Sequence, residues 1–397
     1  MTTVAQPPVL ELAQPASPAA LGDRWVVRRY FTIAAVLTAV VAIAPHLFLH
    51  PYKSGRLHVF ADSVLGGWLR WDGWWYVTIA EHGYSYRPGH MSSVAFFPAY
   101  PLVLRVVGAV LPGGVALAAV VVTLACGALD LVLFHRWCAR RMSAEAARAA
   151  VGALGLYPFA WFLYGAAYSD AMFLGLVLAA FLLVEDDRPL AAGLVAFVAT
   201  ATRPTGITLV IGLVAVTLDR RGLLRRAPRG SLRRRDLGVL LSIGGLIAWC
   251  AWLAIRFGNA FAFVETEGAP GWNQPPGLRT WLKLGLIRHL GIVATPEAIA
   301  ILLQTAAFIG FLCAVRAVSR RLGRGYAVYT LSATLIPAIS TRDFLGVGRY
   351  LLVVFPVFAL VGLATSQPSK VRSFAAAASA SLLVAGAALF SAGYLVA

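Results

Sequence analysis

The chain has 397 residues, of which 59% are hydrophobic and 13% charged, with a mean hydropathy of +0.76 and a formal net charge of +17. Apolar runs long enough to cross a bilayer recur along it, which excludes a soluble globular enzyme and defines an all-α polytopic membrane protein. The positive charge is gathered in short stretches between the apolar runs, so it reads as topology and anionic-lipid contact and argues against nucleic acid as a partner.

In chain order, residues 1–29 begin rich in Pro and Ala and read as a disordered cytoplasmic tail. Residues 30–397 read as a single integral membrane domain whose first span is an uncleaved anchor. Spans are expected near 30–49, 115–137, 147–165, 169–184, 189–203, 205–218, 237–257, 296–316, 325–341, 349–365 and 372–396, about eleven in all. The stretch VAFFPAYPLVLRVVGAVL resembles a span but carries Pro98, Pro101 and Arg105. If it crossed, every later basic loop would change sides, so it is expected to be a re-entrant or interfacial helix. Residues 50–114 then form a long first external loop with interfacial helices, and 258–295 a second. The basic loops (Arg24, Arg28 and Arg29; Arg136, Arg140, Arg141 and Arg148; Arg188; eight arginines between 220 and 235; Arg316, Arg320, Arg321 and Arg324; Lys370 and Arg372) are placed in the cytoplasm with the N-terminus. Asn259 and Asn273 are the two asparagines and neither lies in a glycosylation sequon. With the Ala, Gly and Arg usage this suggests a bacterial plasma membrane. Cys126, Cys138, Cys250 and Cys313 have no metal-type spacing and read as small buried hydrophobes.

The segment RWDGWWYVTIAEHGY is the richest in chemistry. A helix over 70–79 would place Trp68, Trp71, Trp75, Tyr76 and Ile79 on one apolar stripe and Asp72 within it, with Arg70, Val77 and Glu81 turned away. A carboxylate so placed must meet a partner or have its pKa raised, which is the setting of a general base. The same parity count brings two span-end apices, AAYSD and ATRPTG, and the turn TRDFLGVGRY to the outer side. Asp72, Tyr168, Asp170, Arg203, Arg342, Asp343, Arg349 and Tyr350 therefore share one membrane face. Arginine suits a phosphate because its planar fork stays charged and bonds two oxygens.

Taken together, WDGWWYVTIAEHGY, AFFPAYP, LYPFAWFLYGAAYSDAMFL, ATRPTGI and GRYLLVVFPVFAL resemble, in order from about 70 to 360, the phosphatidylinositol-glycan class V (GPI mannosyltransferase 2) family and its bacterial relatives. The resemblance implies a GT-C type membrane glycosyltransferase: a helical bundle with an external active site and a sugar donor carried on a polyprenyl phosphate. Mannose would pass with inversion to a hydroxyl of a glycolipid or glycan acceptor. No metal or cofactor is expected, and a membrane partner subunit is a further candidate partner.

Asp72 is read as the base and Asp62 as a secondary candidate that reads first as a helix N-cap. Arg203, Arg349 and Arg342 are candidates for the donor phosphate, with Tyr350 and Tyr168 as neutral donors. Asp170 either binds substrate or pairs with Arg203. Trp71 and Trp75, with Trp68 and Trp74, read as an aromatic belt before a sugar platform. Glu265 and Glu267, with Trp272, read as solvated loop residues before acceptor contacts. His46 and His50, spaced four apart, with His58, His82 and His90, offer a metal site that nothing else in the sequence supports. Two rival readings stay open: a lipid-linked sugar transporter or flippase using the same arginines, and a noncatalytic subunit of a glycosylation complex. A transporter would tolerate Asn at position 72, and a noncatalytic subunit would show no turnover.

Overall fold

The computed structural model describes residues 18–47, 65–224, 230–275, 277–283, 286 and 295–396. Within them all regular structure is helical: α1 (Pro18–Leu47), α2 (Asp72–His82), α3 (Ala99–Gly108), α4 (Gly114–Ala139), α5 (Ala144–Gly155), α6 (Asp170–Glu185), α7 (Pro189–Thr200), α8 (Ile207–Arg220), α9 (Gly244–Phe257), α10 (Ala262–Glu267), α11 (Leu278–Trp281), α12 (Pro296–Arg321), α13 (Arg324–Ser340), α14 (Val347–Tyr350), α15 (Phe355–Ala364) and α16 (Lys370–Ser391). Five helices in the described residues are long and apolar enough to cross a bilayer, and six if the bent segment 347–364 counts as one.

Several expected spans are shorter or broken. The expected helix over 147–165 stops at Gly155, where Tyr157 and Pro158 begin an irregular stretch, because Pro disfavours helix at the residue before it. The span over 349–365 bends by 77° between Val353 and Phe355. Pro356 sits just after the bend, where a first-turn proline is tolerated. At the other end of the chain α1 begins at Pro18 instead of 30. Asp23 on its first turns accepts from Arg136 at 2.9 Å and lies 3.3 Å from His135, which ties that part of the expected tail to α4.

The core lies where α4, α5, α6, α8, α13 and α15 meet around Phe134, Trp137, Trp161, Phe181, Tyr329 and Phe355. The outer surfaces of the long helices are apolar: Phe31, Val36 and Ile43 on α1 are each about half exposed, and Ile255 on α9 is 87% exposed. Such surfaces suit hydrocarbon and not water. The irregular stretch 156–169 lies inside this bundle, and its carbonyls are satisfied from neighbouring helices. Tyr30 on α1 donates to Leu163 O at 2.7 Å, and Thr123 on α4 donates to Ala166 O at 3.0 Å. Non-helical backbone at membrane depth is tolerated when protein surrounds it in this way.

Helix α3 has ten residues, about 15 Å, which is too short to span. Leu102 and Val106 form its exposed face while Arg105 donates from Nε to Ala80 O at 2.6 Å. That anchors α3 to α2. The bundle has two polar ends separated by α6, whose 16 residues rise about 24 Å. At the C-terminal end of α6, Arg140 pairs with Asp186, Arg141 with Glu185, and Arg220 donates to Glu185 O. At its N-terminal end stands Asp170.

Candidate active site

Helix α2 begins at Asp72, one residue after Trp71, whose φ of 56° is in the left-handed region. The expected helix over 70–79 is therefore cut short, and the stripe is corrected in three places. Trp68 sits on a separate turn and is fully buried in the core. Arg70, expected to face away, is buried and donates from Nε to Ser391 O at 2.8 Å at the end of α16. Val77, also expected outside, is fully buried. The turn at Trp71 is the physical cause: it sends Arg70 inward and aims the start of α2 at the inner segments. A bulky residue with positive φ costs on the order of 1–3 kcal/mol and is held only where the surroundings fix it.

Asp72 meets a partner, and it is Arg349 on α14. Arg349 Nη1 donates to Asp72 Oδ2 at 3.0 Å, and Nη2 donates to Tyr350 Oη at 3.2 Å. The guanidinium lies over the Tyr168 and Tyr350 rings, 5.0 Å from each centroid. Its Nε is buried and has no hydrogen-bond partner among the described residues. Tyr168 closes the inner side: its hydroxyl accepts from Asp72 N at 3.1 Å and donates to Arg70 O at 3.3 Å. An acid and a cation 277 residues apart in sequence are thus held in one cluster with two phenols.

Arg203 and Asp170 form a second, deeper pair. Arg203 Nη1 donates to Asp170 Oδ1 at 2.8 Å, Nη2 lies 2.8 Å from Oδ2, and Nη2 donates to Ser169 Oγ at 2.9 Å. Both side chains are nearly inaccessible. Ser169 in turn exchanges a hydrogen bond with Tyr76 Oη at 3.0 Å. The terminal nitrogens of Arg203 are thus taken up within the protein, which makes it a brace for the apices 168–170 and 203–206. Arg349 is the better placed cation for a ligand. The Arg203 guanidinium lies 5.8 Å from the Tyr350 centroid, so Tyr350 joins the two pairs.

Other sequence candidates are placed differently. Arg342 turns to Asp343 at 3.3 Å, and its backbone N–H donates to Gln274 Oε1 at 2.8 Å. Trp75 stacks on Phe96 at 5.7 Å and meets Trp272 at the same distance, so the segment 262–275 that carries Trp272 forms a roof over α2. Trp71 is partly buried beside Asp72. His82 and His90 are exposed, and among the described residues no three His, Cys, Asp or Glu side chains are grouped to hold a metal. Asp62, His50 and His58 lie outside the described residues.

The sequence reading missed two parts of the site. Ser169 was visible beside Asp170 in the AAYSD apex and needed only the partner, Arg203. Glu267 was named beside Glu265 but read first as a solvated loop residue, which nothing in its polar loop contradicts. Glu265 is exposed as expected, but Glu267 at the end of α10 is partly buried. Burial pushes its carboxyl up to about 7, with Asp72 adding to the rise and Arg349 opposing it. It therefore belongs to the electrostatic surroundings of the Asp72 cluster.

Comparison with known proteins bears on this site. Residues 32–221 match the family model described as mannosyltransferase (PIG-V), a segment that contains α2, the AAYSD apex and Arg203. GPI mannosyltransferase 2 of Drosophila melanogaster is 40% identical over 68 residues, 16% of this chain and 14% of that protein. Among solved structures, ArnT from Cupriavidus metallidurans bound to undecaprenyl phosphate superimposes with a TM-score of 0.52 at 19% identity, over 89% of this chain and 62% of ArnT. The apo form of ArnT gives 0.50 at 17% identity over the same shares. This chain thus spans less than two thirds of these relatives. The family resemblance carried by the motifs and the GT-C-like helical fold are both upheld.

Proposed function

From a chain that resembles the PIG-V mannosyltransferases and has a GT-C-like fold, we propose an inverting glycosyltransferase that moves mannose from a polyprenyl-phosphate-mannose donor to a hydroxyl of an external glycolipid or glycan. The setting is a bacterial plasma membrane, with the N-terminus in the cytoplasm and the site on the external face. The observation that carries this reading is the Asp72–Arg349 pair at 3.0 Å, with the buried Arg349 Nε still lacking a hydrogen-bond partner in the described structure. A buried guanidinium with an open donor is suited to a phosphate oxygen. That ArnT is seen with undecaprenyl phosphate bound supports a lipid phosphate as the ligand class.

The reaction follows from the cluster. A donor phosphate competes with Asp72 for Arg349, and its arrival releases Asp72 Oδ2 for the acceptor hydroxyl. The hydroxyl oxygen then bonds to the anomeric carbon from the face opposite the phosphate. The bond from that carbon to the phosphate oxygen breaks with its electron pair, and the hydroxyl proton passes to Asp72. Arg349 and the Tyr350 hydroxyl face the charge that develops on the leaving phosphate. Asp72 and Arg349 thus exchange partners during the step, and neither needs a covalent intermediate.

The test is transfer of radiolabelled mannose from polyprenyl-phosphate mannose by purified, lipid-reconstituted protein to a membrane-extract acceptor. General-base assistance is typically a factor of about 10² to 10⁴, so Asp72→Asn is expected to lower transfer at least a hundredfold in folded protein. Full activity in that variant would remove Asp72 from the mechanism. Donor binding without any transfer by the wild type would favour a transporter or partner subunit.

A further inference from the structure

The roof segment 262–275 is fastened to the loop that follows α2. Thr266 Oγ1 donates to His90 O at 2.9 Å and accepts from Ser92 N at 3.0 Å. Toward α2 the segment presents Trp272, which packs on Trp75 and Phe96 at 5.7 and 5.8 Å. The same segment, with Gly89 and Asn259, encloses an open cavity of about 530 Å³. Small-ligand sites are typically of this size, roughly 300–1,000 Å³. Its walls are mostly apolar, with Pro270, Pro275 and the Phe261 side chain, which is 64% exposed. Glu265 is the one charged side chain lining it among the described residues.

That carboxylate is held in one position. Glu265 Oε2 accepts from Tyr86 Oη and Asn259 Nδ2, both at 2.8 Å. Asn259 is itself fixed, because its Oδ1 accepts from Phe261 N at 2.9 Å and its Nδ2 also reaches Tyr86 Oη at 3.3 Å. Both donors to Glu265 thus meet the same oxygen, and Oε1 has no hydrogen-bond partner among the described residues. An exposed glutamate ordinarily keeps its rotamer freedom. Here that freedom is already lost, so a donor arriving at Oε1 orders nothing new.

We infer that this cavity is an acceptor subsite and that it takes a neutral glycan. A sugar hydroxyl donates to Glu265 Oε1, while the C–H face of the ring lies against Phe261 and the two prolines, which cannot compete for its hydroxyls. The fixed negative charge opposes a phosphate, and no cation lines the cavity to receive one, so the donor headgroup and anionic lipids are poor occupants. The roof segment that walls the cavity also covers Trp75, one turn into the helix that Asp72 begins. A glycan held here is therefore a neighbour of the group that would deprotonate its hydroxyl. The inference rests on the glycosyltransferase reading of the preceding subsection and narrows its acceptor.

The experiment has two readouts on the reconstituted full chain. Binding of mannotriose, a neutral glycan, is measured without donor by saturation-transfer NMR and titration, and Glu265→Gln and Phe261→Ala are each expected to weaken it about tenfold. In the transfer assay both variants should raise the acceptor KM by about tenfold while the donor KM stays within about twofold of wild type. Phe261 is a surface side chain, so its removal asks for no repacking. Tyr86→Phe, which keeps the ring against Phe257 at 5.8 Å and loses only the hydroxyl, should give a smaller loss in the same direction. Wild-type affinity in both Glu265→Gln and Phe261→Ala overturns the inference. So does absence of mannotriose binding by the wild type, or binding of glucosamine, a cationic sugar, in its place. Mannotriose binding that depends on Glu265, with no sugar transfer from any donor, would keep the glycan site and overturn the transferase reading alone.

Discussion

Asp72, Arg349, Arg203 and Asp170 are four charges in one small region, yet their surroundings divide the work. Arg203 and Asp170 are almost inaccessible and satisfy each other, so removing either leaves a charge stranded in a low-dielectric interior. Asp170→Asn or Arg203→Leu is therefore expected to destabilise the protein by about 3–5 kcal/mol, and the pair replaced together by much less. Thermal unfolding in detergent of the two single variants and the double variant measures this, and equal losses in all three would show that the pair braces nothing. Arg349 behaves differently because its partner Asp72 is 27% exposed, against 1% for Asp170, so this pair can be reached by a ligand. Arg349→Lys keeps the charge but loses the fork, and should raise the donor KM by about tenfold to a hundredfold with a smaller change in kcat. A variant with unchanged KM and much reduced kcat would move Arg349 from binding to the chemical step alone. The acids and arginines of this cluster were legible as residues because they sit in polar apices that interrupt apolar runs. Their pairing was not, since Asp72 and Arg349 lie 277 residues apart and helical periodicity does not show the left-handed turn at Trp71 that precedes α2.

At the scale of elements, the fold depends on close approach where helices end. Gly127 on α4 stands where an added Cβ would lie 2.0 Å from Leu163 O, the same carbonyl that accepts from Tyr30. Gly165, at φ 138°, lets the Trp68 ring lie against the backbone three residues before Tyr168. Gly127→Ala must push the irregular stretch 156–169 away and is expected to lower both thermal stability and activity. Gly152, inside α5 with nothing within 4 Å of an added Cβ, is the control: Gly152→Ala should be neutral or stabilise by about 0.5–1 kcal/mol, since Ala favours helix. If both variants melt like the wild type, backbone contact at Gly127 does not hold the site. Periodicity located several of these elements to within a few residues: α4, α6 and α13 fall within two residues of the expected bounds. It passed over the break after Gly155, which Pro158 signals, because the stretch around that proline is apolar and apolar content alone does not separate a helix from a buried irregular turn. The reach of α10 over the site was equally hidden, since it depends on Thr266, Trp272 and Gln274 finding partners far away in sequence.

For the whole molecule, the two polar ends of the bundle are chemically unlike, and that difference sets its orientation. One end carries the Asp72 and Asp170 pairs under a roof of aromatic side chains. The other carries Arg136, Arg140, Arg141, Arg220 and Arg221, paired with Asp23, Glu185, Asp186, Asp187 and Asp236 or with helix-end carbonyls. The separation is built into α4, α6 and α8, each of which has an arginine or acid of the basic cluster at its C-terminal end. Lysines and arginines in short loops are retained on the cytoplasmic side, so the basic end should face inward and the Asp72 end outward. A lipid-linked donor would then be met at the external leaflet, next to the roof segment, without having to cross the protein. The expectation can be checked with single cysteines introduced at exposed positions in a variant lacking the four native ones. His90→Cys, beside the roof, should react with a membrane-impermeant thiol reagent in intact cells. Arg148→Cys, at the basic end, should react after the membrane is opened. Reaction of Arg148→Cys in intact cells, with protection of His90→Cys, would invert the topology and place the sugar-transfer chemistry on the cytoplasmic leaflet, where an external glycan could not be its acceptor.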